Sequence, residues 1–96
     1  MFDQLKQLKN LRQQAKQMES ALDKEQVLGV SSANKVSLEM NGNQKILNIN
    51  IEPKLLSPDH KDELEQAIKQ AHQDAIQKVK QLMAQKLYSS GINLPQ

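Results

Sequence analysis

The stretch from Val36 to Pro58 constrains the fold more than any other part of the chain. Val36, Leu38 and Met40 recur with period two, and so do Leu47, Ile49 and Ile51. Each run therefore offers one apolar and one polar face, as a half-buried strand does. Between them stands Asn41-Gly42, a pair that accepts the positive φ angles of a tight type I′ hairpin turn. Pro53 has no N–H to give to a ladder and ends the second run. Ser57-Pro58 reads as a helix start, a capping hydroxyl followed by a residue whose φ is already helical. A hairpin followed directly by a helix is the expected local order.

Helices are expected on both sides. From Asp3 to about Gln26 the residues Leu5, Leu8, Leu11, Ala15, Met18 and Leu22 fall three or four apart on a glutamine-rich segment without Gly or Pro, which puts them on one helical stripe. Val27-Leu28-Gly29-Val30 reads as a short edge strand, and the polar link Ser31 to Lys35 as a turn or bulge. A second helix is expected from Pro58 to about Tyr88, with Leu64, Ile68, Ala71, Ala75, Val79 and Leu82 on one stripe and Ile76, Met83 and Leu87 widening it. The acidic residues Asp59, Asp62, Glu63 and Glu65 suit the positive end of that helix, and Glu65 and Lys69 have the spacing of a favourable ion pair. The fold class is α+β, a single domain over residues 1–96: helix (about 3–26), three-stranded antiparallel sheet (about 27–52), long helix (about 58–88) and a short tail (89–96).

Size then argues for a second chain. With 96 residues, 38% of them apolar, and only Phe2 and Tyr88 as aromatics, a lone copy builds a thin core. The second helix would be ~45 Å long, whereas a seven-residue strand spans ~23 Å. The overhanging apolar stripe must pack on another helix, of its own chain or of a partner, and a homodimer with protruding helical arms is the economical arrangement.

The chemistry of the chain is cationic rather than catalytic. Lys6, Lys9, Arg12 and Lys16 share a helical face, with no acidic residue between Gln4 and Met18. Lys78, Lys80 and Lys86 form a second acid-free stretch after Asp74. Lysine and glutamine on a rigid helix follow phosphates without reading bases; a solvated helix face also accounts for such a run. No aromatic lies between Phe2 and Tyr88, so a base-stacking platform for single strands is missing, and Arg12 is the only arginine available for bidentate readout of guanine. His60 and His72 are turned ~120° apart on a helix, away from the pairing of a zinc helix. Ser57 is explained as a cap, and Gly29, Gly42 and Gly91 form no phosphate loop. Met18, Met40 and Met83 read as core or interface fillers. Cysteine is absent, which removes disulfides and thiolate chemistry. No enzyme activity, cofactor, metal site or small-molecule substrate is expected, and no apolar run approaches the ~20 residues of a membrane span, so a cytoplasmic location is expected.

Three segments also carry a resemblance. Val36-Ser37-Leu38-Glu39-Met40-Asn41-Gly42, Ile49-Asn50-Ile51-Glu52-Pro53-Lys54-Leu55-Leu56 and Ser89-Ser90-Gly91-Ile92-Asn93-Leu94-Pro95 together resemble the YbaB/EbfC family of small bacterial nucleoid-associated proteins. Family members commonly carry a glycine-rich leader, whereas Phe2 here leads almost directly into the first helix. The resemblance implies a helix, a three-stranded sheet and a long second helix, double-stranded DNA as partner, and a place in the nucleoid. Joined with the charge pattern, it predicts a homodimer that contacts phosphates through Lys6, Lys9, Arg12 and Lys16, assisted by Lys78, Lys80 and Lys86, with little base readout. A competing expectation is a protein-binding adaptor or prefoldin-like clamp that grips polypeptide between its helical arms.

Overall fold

The computed structural model describes residues 2–89. Its order is α1 (Phe2–Asp23), β1 (Gln26–Val30), β2 (Val36–Asn41), β3 (Ile46–Ile51) and α2 (Lys61–Ser89), with 3-10 turns at Ser32–Asn34, Pro53–Leu56 and Pro58–His60. The sheet is antiparallel in the order β1-β2-β3. The expected helix, three-stranded sheet and long helix are therefore all present. Residues 90–96, which include the Ser90-Gly91-Ile92-Asn93-Leu94-Pro95 part of the tail, lie outside the described residues.

One helix sits on the sheet. Ala67, Ala71, Ala75 and Val79 recur every four residues on α2 and are buried against Val36, Leu38 and Met40 of β2. The stripe is mostly alanine because the backbone comes very close. A Cβ built on Gly29 of β1 would lie 2.2 Å from the Ala71 carbonyl oxygen and 2.6 Å from the Ala75 Cβ. The larger Leu64 and Ile68, expected on the stripe with Ala71, and Ile76, expected to widen it, are half-buried beside it. A helix is ~10 Å wide and strands are ~4.8 Å apart, so α2 covers two strands, and these are β1 and β2.

β3 is left uncovered on the same side. Ile46, Ile49 and Ile51 stand opposite Met40, Leu38 and Val36, and a register shift at Glu39/Met40 puts Leu47 out of phase with them. The alternation Leu47, Ile49, Ile51 is thus broken by a bulge. Ile46 and Ile49 remain 45% and 43% exposed. Asn48 and Asn50, which the alternation predicts to face solvent or a partner, are exposed.

Three local expectations are corrected. The hairpin turn is not type I′. Asn41 N–H donates to the Lys45 carbonyl (2.9 Å) and Gln44 N–H to the Asn41 carbonyl (3.0 Å), which closes a three-residue loop whose left-handed residue is Gln44 (φ 66°). Gly42 serves close approach instead, since a Cβ there would lie 2.6 Å from the Leu22 carbonyl oxygen. Secondly, the Ser57 hydroxyl does not cap α2. His60 N–H is already taken by the Ser57 carbonyl (3.0 Å) within the 3-10 turn, and the hydroxyl rests 2.7 Å from His60 Nδ1. Thirdly, Glu65 lies 3.8 Å from Lys61, so its ion pair runs backward along α2 rather than forward to Lys69.

The Ser31 to Lys35 link proves to be a tight turn with Ala33 (φ 58°) and Asn34 (φ 55°) both left-handed. It is held by Val36 N–H donating to Ser31 Oγ at 2.9 Å and by the Lys35–Glu63 ion pair. Leu55, in the turn after Pro53, is buried in the core, a position that carries no periodic signal.

Gly29→Ala should lower the unfolding free energy by about 1–3 kcal/mol, because the added methyl forces α2 off the sheet. A urea midpoint equal to that of the parent would show that the approach of helix and strand is looser than described.

Candidate nucleic-acid interface

α1 forms an arm. Its buried residue is Leu22, near its C-terminal end, with Met18 and Ala21 half-buried, and it packs on no other element as α2 packs on the sheet. Leu5, Leu8 and Leu11 are 58%, 52% and 61% exposed. Leu8, Leu11, Ala15, Met18 and Leu22 follow alternating steps of three and four, the a/d pattern of a coiled-coil seam. At ~100° per residue, Lys6, Lys9, Arg12 and Lys16 cluster on an arc centred roughly 135° from that seam. A second helix laid along the seam would leave the cations in solvent. All four are exposed, and among the described residues none pairs with a carboxylate.

The cations of α2 are placed differently. Lys78 Nζ lies 3.0 Å from Asp74 and donates to the Leu28 carbonyl at 2.6 Å. Lys86 Nζ lies 2.8 Å from Glu25 Oε1. Only Lys80 of this group is exposed without such a carboxylate partner among the described residues. It lies with His72, Gln73, Ile76 and Gln77 along one shallow depression of α2. The sequence separates Lys86 from Glu25 by most of the chain, so that pair shows only in the fold; Asp74 and Lys78 stand four apart, a spacing that does signal a pair.

Asp74 and Gln70 do further work at the edge of the sheet. Asp74 Oδ2 accepts Val30 N–H at 2.9 Å, and Gln70 Oε1 accepts Ser32 N–H at 3.1 Å. Together with Lys78 on the Leu28 carbonyl, these side chains occupy two outer backbone groups of β1 and one just beyond it, which blunts that edge against strand addition. The Val30 N–H, and after it the Lys78 ammonium, hold the Asp74 carboxyl below its ordinary value. At the other end of α2, the hydrogen bond from Lys35 likewise lowers Glu63, while Glu63 raises Lys35.

The described residues contain no cluster of His, Asp or Glu that could hold a metal ion, and no helix among them is long and apolar enough to cross a membrane.

The comparisons with known proteins agree with this architecture. Residues 1–90 match the model of the YbaB/EbfC DNA-binding family. The chain belongs to that family. It is 33% identical to a nucleoid-associated protein of Dictyoglomus thermophilum over 98% of this chain and 90% of the relative. It is also 30% identical to one of Bartonella bacilliformis over 99% of this chain and 88% of the relative. The crystal structure of an uncharacterized Helicobacter pylori protein shares the fold at a TM-score of 0.68 and 18% identity, covering 84% of this chain and 94% of that one.

Asp74→Asn should cost about 1 kcal/mol or less at neutral pH, since the carboxylate is partly solvated. A lowered folded-state pKa gives stability that is present above the unfolded value of about 4 and is lost as pH falls through the folded value. The parent and the variant should therefore converge in thermal midpoint as pH falls below the unfolded value and through the lowered folded one; a gap of constant size across the acid range would contradict the role given to this carboxylate.

Proposed function

We propose that this protein binds double-stranded DNA in the nucleoid as a homodimer, chiefly by phosphate contacts from Lys6, Lys9, Arg12 and Lys16. The observation that carries the reading is the grouping of cations: among the described residues these four stand exposed and without carboxylate partners on one face of an arm, while Lys35, Lys61, Lys78 and Lys86 are paired within the fold and the other unpaired lysines, Lys24, Lys45, Lys54, Lys69 and Lys80, lie off α1. Membership of a DNA-binding family and the nucleoid-associated relatives support the target. From Lys6 to Lys16 the arm runs ~15 Å, over which a duplex carries roughly nine phosphate charges. Lysine and glutamine side chains suit that backbone, and a single arginine leaves little base readout. Lys80 adds to the surface; Lys78 and Lys86 join it only if they exchange a carboxylate for a phosphate.

Dimerisation is the second part of the reading. The exposed Ile46 and Ile49 of β3 and the a/d seam of α1 are apolar surfaces that one copy leaves wet, and a second copy would bury them. The blunted edge of β1 directs any strand pairing to β3. The same seam favours the competing reading, a clamp on polypeptide, since exposed leucines also grip unfolded chains.

Replacing Lys6, Lys9, Arg12 and Lys16 together by glutamine should weaken binding to random duplex and flatten the log-log salt dependence by about 0.9 for each phosphate no longer neutralised. Unchanged affinity and slope in a gel-shift titration at several salt concentrations would reject the site. The clamp instead predicts no salt-sensitive shift and suppression of aggregation of an unfolded client. Separately, Ile49→Asp should convert the dimer to monomer in sedimentation velocity, and a strictly monomeric parent protein would refute dimerisation.

A further inference from the structure

The arm has one joint, and it is built by the hairpin loop rather than by packing along its length. Gly42 N–H donates to the Leu22 carbonyl (2.9 Å) and to the Glu25 carbonyl (3.1 Å). Asn43 Nδ2 donates to the Glu19 carbonyl (2.9 Å) and to Asp23 Oδ1 (2.6 Å). The last carbonyls of a helix lack the regular partner four residues on; those of Ala21 and Leu22 accept the N–H groups of Lys24 (3.3 Å) and Glu25 (3.1 Å), and the loop between β2 and β3 adds its own donors at Leu22 and on either side of it. The loop is itself fixed, because Asn41 Oδ1 accepts the N–H groups of Asn43 (2.9 Å) and Lys45 (3.0 Å). Gly42 must be glycine for the contact to form, as a Cβ would meet both the Leu22 carbonyl oxygen (2.6 Å) and the Leu22 Cβ (2.9 Å).

We propose that Gly42 and Asn43 are positioning residues for duplex binding: the loop clamps the final turn of α1 and so fixes the direction in which the cationic arm leaves the sheet. The proposal rests on the assignment of Lys6, Lys9, Arg12 and Lys16 to phosphate contact. The leverage is geometric. Arg12 lies ~15 Å up the arm from Leu22 and Lys6 ~24 Å, so a swing of about 20° at the joint moves them by roughly 5 and 8 Å. Such a displacement exceeds the reach of a hydrogen bond. A clamped arm presents its cations in one arrangement, whereas a loose one must be ordered at the moment of binding. The joint touches no DNA itself and acts only through the arm.

The test uses the full chain, which has no cysteine of its own, with spin labels on cysteines introduced at Gln13 of α1 and Gln66 of α2, diluted into excess unlabelled protein. The parent should give one narrow distance distribution by pulsed electron resonance, and Asn43→Ala should broaden it. Without labels, Asn43→Ala should lose on the order of tenfold in duplex affinity and show a flatter salt slope. Gly42→Ala should do the same more severely, and Asn43→Ala keeps the test decisive should that variant fail to fold. The four-cation glutamine variant should lose affinity while keeping the narrow distribution, which separates contact from positioning. A distribution that stays narrow in Asn43→Ala, or one that broadens with affinity and slope unchanged, would overturn the proposal. A parent protein that ignores duplex would instead remove the DNA reading on which the proposal stands.

Discussion

The close approach of α2 to Gly29 governs what the rest of the chain can do. Alanines at every fourth position let the helix lie against the backbone of β1, with Ala71 and Ala75 at the point of contact. A helix lying there covers β1 and β2 and leaves most of β3 open. Much of what is apolar elsewhere, Ile46 and Ile49 on β3 and Leu5, Leu8 and Leu11 on α1, is left exposed. The exposed isoleucines and leucines are thus a consequence of where the one large helix sits, rather than an accident of composition.

Placement of charge follows from the same packing. The helix brings Asp74, Lys78 and Gln70 to the outer edge of β1, where they satisfy its backbone groups, and carries Lys86 to Glu25. Lys35, Lys78 and Lys86 are paired with carboxylates within the fold, whereas the cations on α1 are not. The arm combines an apolar seam with a cationic arc on a different side, so the self-association and phosphate contact proposed for it would not compete for the same surface. Under the proposed function, the first would present two arms and the second would engage the duplex.

Much of this is legible in the sequence, and the failures are instructive. Period-two alternation in β2 and the proline stop after β3 hold in the structure, because each depends on only a few neighbouring residues. The Asn41-Gly42 pair signals a turn correctly but misleads about its type: the need for glycine comes from Leu22, about twenty positions away, while the left-handed angle falls on Gln44. Leu47 joins the wrong alternation when the strand is read alone, because a bulge is a relation between two strands. Lys86 looks free in the sequence because Glu25 is distant along the chain; Lys78 looks free although Asp74 stands one helical turn before it. Lys6, Lys9, Arg12 and Lys16 stand where periodicity puts them, since an arm that packs on little has little to rearrange its surface.

Helices draw most of their stability from packing of an apolar face, and α1 buries only its C-terminal end in its own chain, so under the proposed function the seam of α1 gains order from a second copy. Hydrogen–deuterium exchange across a concentration series tests this most directly. Amides of β2 should be protected at every concentration, while those from Leu8 to Leu22 should gain protection together with β3 as the protein is concentrated. An α1 that exchanges freely at all concentrations, or one already fully protected in the most dilute sample, would contradict it.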